Sequence, residues 1–269
     1  MKKFAKILAI VLALAAIFAC VFGFAACNKK SDYQKIKESG KIVVGYTDYA
    51  PMNYTDANGT LVGFDTELAQ KVGQKLGLQV QFQLISWDAK FTELNSGTID
   101  CIWNGFTVTD ERKDSCDFSS IYLKNKQVAV IRTADDTIYT NKDAFNGKNG
   151  IAEAGSYGEE VAKGITDEAK VTGIDTQMAA LQNVLAGTAD FAVVDYTLAN
   201  ANCGQRSFST LKICTNVTFA DEDYAVGFRK GSDITVKVNE ALAASYVDGT
   251  VSALATKYEL TNLVVEISK

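Results

Sequence analysis

Two stretches of the chain leave a helix through the same turn and then enter a short apolar run, and this repetition limits the fold more than any other feature. Residues 97–103 read Gly-Thr-Ile-Asp-Cys-Ile-Trp, and residues 185–195 read Leu-Ala-Gly-Thr-Ala-Asp-Phe-Ala-Val-Val-Asp. Apolar runs of this length bounded by turn residues read as buried strands. The copies differ in how they leave the strand. The first breaks at Asn104-Gly105, where glycine permits close backbone approach. It then passes the hydroxyls of Thr107 and Thr109 and reaches Arg112. The second ends on an anion, Asp195. A guanidinium fork suits a carboxylate, and open α/β sheets bind ligands at the C-terminal ends of their strands. Two such units offering opposite charges suit a zwitterion held between two lobes. The plainer alternatives are a solvated arginine in a polar loop and a helix N-cap at Asp195.

Taken in order, the first unit reads β-α-β-α-β, the pattern of a mostly parallel sheet. Residues 41–46 form an apolar strand, and Pro51, the only proline, fixes the turn after it and so the direction of Tyr49. Asn58-Gly59 is a hairpin turn. A helix begins near Asp65, with Leu68, Val72 and Leu76 as its buried stripe and Gly77 as its stop. Val80, Phe82 and Leu84 alternate as a strand that leads to Trp87-Asp88, and Phe91 and Leu94 mark the next helix. In the second unit, strands are expected over 127–131 and 150–153. A Gly155-Ser156-Tyr157-Gly158 turn then starts a helix, and the N–H groups of a helix start are a ready anion site. Met178, Leu181 and Leu185 form the next buried face. Strands over 211–215 and 223–228 follow, the second returning the chain to the first unit through a hinge near 219–222. Helices over 234–247 and 251–258 close the chain.

The N-terminus is a basic segment, Met1 to Lys6, followed by an apolar run over 7–26. That is the layout of a secretory signal peptide, and the same length could also span a bilayer. Phe24-Ala-Ala-Cys27 resembles a bacterial lipobox, with Cys27 as the lipidated residue and Cys20 as the poorer alternative. Residues 28–40 read as a tether running into a first polar turn. Cleavage before Cys27 removes three lysines and takes the formal charge from −5 to −8, which argues against nucleic acid. The chain contains no histidine, so Ser-His-Asp and Cys-His catalysis and His-ligated zinc are excluded together. No CxxC spacing occurs, and no metal or cofactor is expected. Cys101 and Cys116 read as buried small residues. Cys203 and Cys214 are the nearer pair for a disulfide, and sequence leaves that bridge open.

Several motifs occur together in order: Lys41-Ile-Val-Val-Gly, Tyr49-Ala-Pro, Gly59 to Phe64 with Asp65, Trp87-Asp88, Ser96-Gly97 with Asp100, and Thr107-Val-Thr-Asp-Glu-Arg112 with Asp117-Phe118-Ser119. As an ordered set, covering residues 38–262, they resemble the polar amino-acid-binding solute-binding proteins of ABC importers (bacterial extracellular solute-binding proteins, family 3). The resemblance implies an α/β, two-lobed periplasmic-binding-protein-like fold of type II. Each lobe is a mostly parallel sheet flanked by helices, and two strands cross between the lobes. The implied division is a signal peptide over 1–26, a lipidated cysteine and tether over 27–40, lobe 1 over 41–122 plus 221–269, and lobe 2 over 123–220.

Carried over by position, Arg112 takes an α-carboxylate and Asp195 an α-ammonium. Asn104, Gly105 and Thr107, with Ser156 and Tyr157 from the other lobe, complete the carboxylate end. Tyr49 and Trp87 flank the side chain, with a core role as the alternative for Trp87; Trp103 reads as core. Asn104 stands where a serine or small residue is usual in the family, a departure from its pattern at the carboxylate end. Asp48 and Glu153 could meet a cationic side chain but read first as a solvated turn and a strand end. The implied role is capture of a free, polar or basic amino acid by a lipid-anchored monomer on the extracytoplasmic side, and delivery to a membrane permease with its ATPases. Rival readings on the same fold are a dehydratase of cyclic amino-acid precursors, for which Glu153 is the one candidate acid, and a free-standing amino-acid sensor.

Overall fold

A computed structural model describes residues 30–265. The segment read as a signal peptide, with Cys20 and Cys27, lies outside the described residues. Residues read as the end of a tether form a helix instead, α1 (Asp32–Ser39). Ser31 and Gln34 close its first turn as a reciprocal capping box, and Gly40 ends it in the left-handed region at φ 71°. Burial of Ile36 and an Asp32–Arg229 ion pair at 2.8 Å hold it to the body of the protein.

The first sheet is built from β1 (Lys41–Tyr46), β4 (Gln79–Leu84), β5 (Cys101–Ile102), β6 (Asp117–Phe118) and β13 (Gly227–Phe228), in the order β4-β1-β5-β13-β6. Between β1 and β4 lie a hairpin, β2 (Tyr54–Thr55) and β3 (Leu61–Val62), and the helix α2 (Phe64–Leu76). Leu68 and Val72 are buried and Gly77 caps the helix in the left-handed region, as the periodicity predicts. Strand β4 departs from expectation. It is the edge of the sheet, so Leu84 stands 60% exposed rather than packed. Helices α3 (Lys90–Ser96) and α4 (Asp110–Ser115) flank β5 in sequence.

The second sheet contains β7 (Leu123–Arg132), β8 (Gly150–Glu153), β9 (Val171–Ile174), β10 (Phe191–Asp195) and β11 (Leu211–Ile213), ordered β11-β7-β10-β8-β9. Helices α5 (Tyr157–Lys163), α6 (Gln177–Ala186) and α7 (Tyr196–Asn202) accompany them, and β12 (Asp221–Tyr224) pairs with the start of β7. In both sheets one strand runs against the rest: β13 in the first, β7 in the second. The chain passes between the sheets through β7 on the way out and through β12, which leads into β13, on the way back. β7 pairs with β12 over its first residues and with β10 and β11 beyond them. Two α/β lobes joined by two crossing strands are the type II two-lobed fold.

Helices α8 (Ile234–Val247) and α9 (Thr250–Lys257) pack on α2. Tyr258 Oη donates to Glu67 at 2.6 Å and accepts from the Gly63 N–H at 3.0 Å. Cys203 and Cys214 are both free; Cys203 packs against one hydrophobic core and Cys214 lies inside another.

Candidate functional site

The C-terminal ends of β1, β5, β8 and β10 converge where the two sheets face each other. After β5 the chain turns at Gly105, whose φ of 56° favours glycine. A Cβ there would sit 2.7 Å from the Tyr49 ring and 2.9 Å from the Tyr224 ring. Two residues read as donors to a carboxylate are committed inside the protein. The Asn104 side-chain oxygen accepts from the Thr47 N–H (3.1 Å) and hydroxyl (2.8 Å), and its amide donates to Thr47 O (3.0 Å) and Asn53 Oδ1 (2.8 Å). The Gly105 N–H donates to Asp65 Oδ2 at 2.7 Å. These residues lock the end of β1 and shape the cleft rather than donate into it.

Arg112 is held on α4, which Thr109 caps through the Arg112 N–H at 3.1 Å. The residue is only 5% exposed. Its guanidinium lies 5.1 Å from the centre of the Phe106 ring and donates to Thr107 O at 3.0 Å and, across the cleft, to Gly155 O at 3.5 Å. Glu160, exposed, lies 3.9 Å away. Burial lowers the Arg112 pKa, and Glu160 offsets part of that.

Asp195 ends β10 and is buried. It occupies the N-cap position of α7, yet its side chain makes no capping bond. The carboxylate accepts from three neutral amides: Asn125 at 2.9 Å, Gln127 at 2.7 Å, and Gln177. Gln177 also accepts from the Asp195 N–H at 2.8 Å. Among the described residues no lysine or arginine pairs with Asp195. A buried carboxylate stabilised only by neutral dipoles is suited to an incoming cation.

Two further acids lie beside it. Glu222 on β12 shares the Asn125 and Gln127 amides with Asp195. Burial and the nearby Asp195 charge push its carboxyl well up. Glu153, read as a solvated strand end, is instead 3% exposed. It sits at the end of β8, where the opposite lobe covers it. Burial first and then Asp195 push its carboxyl up to about 8, with Thr47 and Lys90 acting against the rise. Asp48, by contrast, is exposed. Lys90, which sequence did not single out, is buried on α3 and donates to Trp87 O at 3.1 Å and Gly155 O at 2.8 Å. Its pKa falls to about 8, chiefly by burial and then by Arg112.

All nine residues read from the sequence line one cleft: Tyr49, Trp87, Asn104, Gly105, Thr107, Arg112, Ser156, Tyr157 and Asp195. Gln127, Glu153, Gly158 and Gln177 complete it. Trp87 is buried edge-on to Phe106, with ring centres 5.7 Å apart. Trp103 belongs to the core, tilted against Tyr122. The lobes are closed on each other. The Tyr49 hydroxyl meets Thr197 of α7 and lies 2.9 Å from the Tyr224 hydroxyl. The remaining space admits the centre of a water molecule over only about 10 Å³.

Residues 42–261 match the bacterial extracellular solute-binding proteins, family 3. The chain belongs to this family. Among its relatives, the L-cystine-binding protein TcyJ of Escherichia coli is 31% identical over 83% of this chain and 84% of its own length. A solved substrate-binding protein of an ABC uptake transporter from Streptococcus pneumoniae, with bound histidine, superposes with a TM-score of 0.78. It is 32% identical and covers 86% of this chain and 97% of its own. An ancestral amino-acid-binding protein, described as a precursor of cyclohexadienyl dehydratase, gives a TM-score of 0.77 at 28% identity, over 85% of this chain and 99% of its own. Within this solute-binding protein no helix among the described residues is long and apolar enough to cross a membrane.

Proposed function

We propose that this chain is the substrate-binding component of an ABC-type amino-acid importer, capturing a free polar or basic amino acid between its lobes and delivering it to a membrane permease with its ATPases. The observation that carries the reading is the placement of Arg112 and Asp195, both buried, opposite in charge and facing one cleft from different lobes. Arg112 takes the α-carboxylate in a bidentate, charge-assisted pair, with the Thr107 and Ser156 hydroxyls and Tyr157 beside it. Asp195 takes the α-ammonium. Tyr49 and Trp87 cover the side chain. One unit-charge pair at about 4 Å is worth roughly 4 kcal/mol at an effective dielectric of 20, before desolvation. Because the two partners sit on different lobes, ligand binding favours the closed form. A ligand clamped between two lobes that touch across the cleft enters only when the lobes part.

In this reading residues 1–26 are a signal peptide and Cys27 carries a lipid that holds a monomer to the extracytoplasmic face of the membrane. Lobe 1 comprises 41–122 with 221–269, and lobe 2 comprises 123–220. The protein does no chemistry of its own. The test is a thermal-shift screen of residues 28–269 against the protein amino acids, cystine, ornithine and citrulline. Ligand at 100 times its Kd adds about 2.7 kcal/mol. A shift that vanishes in both Arg112→Ala and Asp195→Ala supports the reading, and a folded, ligand-free protein that responds to nothing in the panel refutes it.

One observation favours a second reading. A general acid must be protonated at working pH, and Glu153 is a buried cleft acid whose carboxyl is pushed up to about 8. Loss of water and carbon dioxide from a cyclic amino-acid precursor on incubation with the protein, abolished in Glu153→Gln, would decide for that enzyme.

A further inference from the structure

Arg112 and Asp195 meet the two charges of an α-amino acid, which leaves Glu153 without a task in that clamp. Its position is nevertheless built. It ends the fully buried strand β8, stands 3% exposed and lines the same cleft. Its Oε1 is buried without any hydrogen-bond partner. An acid with no role at this depth would be a burden, because desolvation disfavours its charged form and an unmade hydrogen bond is not repaid by water. The charged groups facing it are few. Asp195 on β10 is of like sign, with Glu222 on β12 beside it. Lys90 on α3 is of opposite sign but already donates to two carbonyls, and Arg112 on α4 lies near Lys90. The Thr47 hydroxyl acts on this carboxyl too, but it donates to Asn104 Oδ1. Oε1 is therefore left without a donor, and one supplied by the ligand would satisfy it.

We propose that Glu153 is the specificity-determining residue of the cleft, its free oxygen accepting from a second protonated nitrogen at the far end of the ligand. The inference rests on the amino-acid reading and narrows it to amino acids that carry two cationic nitrogens. Two sources share this chemistry: a basic amino acid, and a molecule with two complete amino-acid heads such as a disulfide-linked pair. Only the second brings a distal carboxylate into the neighbourhood of Lys90.

Titration calorimetry on wild type and Glu153→Gln tests this, with arginine against citrulline, lysine against norleucine, and cystine against the one-headed mixed disulfide of cysteine with methanethiol. A charge-assisted hydrogen bond makes the second nitrogen worth about 10- to 100-fold in Kd in the wild type. Glu153→Gln should bring the preferred pair to within about 3-fold while the one-nitrogen ligand still binds. Lys90→Met should weaken only a two-headed ligand, which separates the two sources. A second readout is proton release. Glu153 holds its proton near neutral pH, so binding of the second cation should expel close to one proton at pH 7. It would appear as a heat that changes with the buffer's ionisation enthalpy and is absent in Glu153→Gln. If Glu153→Gln binds with an unchanged preference, or wild type favours the one-nitrogen partner, the assignment of Glu153 is wrong while the amino-acid reading stands. Binding of none of these ligands by the folded wild type overturns both.

Discussion

The strand ends that carry Arg112 and Asp195 begin from the same Gly-Thr-x-Asp turn and finish differently. β10 runs straight into α7, so Asp195 is the last residue of a buried strand. Its donors all come from its own sheet or from α6: Asn125 and Gln127 on β7, Gln177 on α6. The arginine arrives later, after a break and a loop, on the short capped helix α4. One of its two carbonyl partners, Gly155, belongs to the opposite lobe. The anionic end is thus complete within one lobe, whereas the cationic end is finished only when the lobes meet. In the proposed amino-acid clamp, rigid sheet and closing loop divide the work.

The largest effect that could break this comparison is on binding. Asp195→Ala and Arg112→Ala should each weaken amino-acid binding by about 30-fold or more, since removing one partner of a buried charge pair costs about 2–5 kcal/mol. Arg112→Lys should recover only part, because a point charge lacks the fork. Equal binding by wild type and Asp195→Ala in calorimetry would place the ammonium elsewhere.

Next in size is closure. Gly155 has φ 68°, and a Cβ on it would lie 2.9 Å from Asp88 Oδ1 and 3.0 Å from Asp88 Cα across the cleft. Gly155→Ala should raise Kd by about 10-fold or more through strain of roughly 1–3 kcal/mol in the closed form. Small-angle scattering should then show a ligand-bound protein more expanded than wild type. A variant that closes as wild type does would remove the argument that the arginine end depends on closure.

Acidity should tell the same two regions apart from the core. Asp65 is fully buried, and burial raises its carboxyl to about 7 despite bonds from the Gly105 N–H and the Tyr122 hydroxyl. A carboxyl raised in the folded state contributes stability that is fully present below its unfolded value near 4 and is lost as pH rises through the folded value. With Glu153 raised to about 8, the ligand-free protein should lose thermal stability between about pH 4 and 8. Glu153→Gln should flatten the upper part of that decline, and a melting temperature that rises steadily across the window would contradict both assignments.

The smallest effect belongs to the cap. Thr109→Ala should cost about 1 kcal/mol of stability in urea unfolding and a few-fold in Kd, because it frees the first turn of the helix that aims Arg112.

Much of this was legible from local pattern. Glycine stops, apolar runs and the Asn58-Gly59 hairpin gave the β-α-β-α-β order. The ordered motifs, the repeated Gly-Thr-x-Asp units and the Gly155–Gly158 turn together pointed to the nine residues that line the cleft. What escaped depends on which strand becomes an edge and which end becomes covered. Leu84 alternates like a core residue but lies on the edge strand β4, while Glu153 reads like a solvated strand end and is roofed by the other lobe. Lys90, Asn125, Gln127, Gln177 and Glu222 are polar residues at unremarkable positions, and only the approach of distant elements buries them together. Asn104 and Gly105 were found as cleft residues, but their hydrogen bonds turned out to be spent on Thr47, Asn53 and Asp65. The helix α1 was missed although Ser31-x-x-Gln34 announces a capping box.

That first helix also decides where a mechanical load enters. Asp32 is paired with Arg229, which also donates to Leu94 O, Ile99 O and Asp100, and the Tyr33 N–H is held by Asp233. All of these belong to the lobe built on the first sheet. A pull on the chain ahead of Ser31 is therefore taken up by that lobe alone and does not run through the crossing strands. With the proposed anchor at Cys27, the other lobe would be the moving jaw of a vice whose fixed jaw is bolted down.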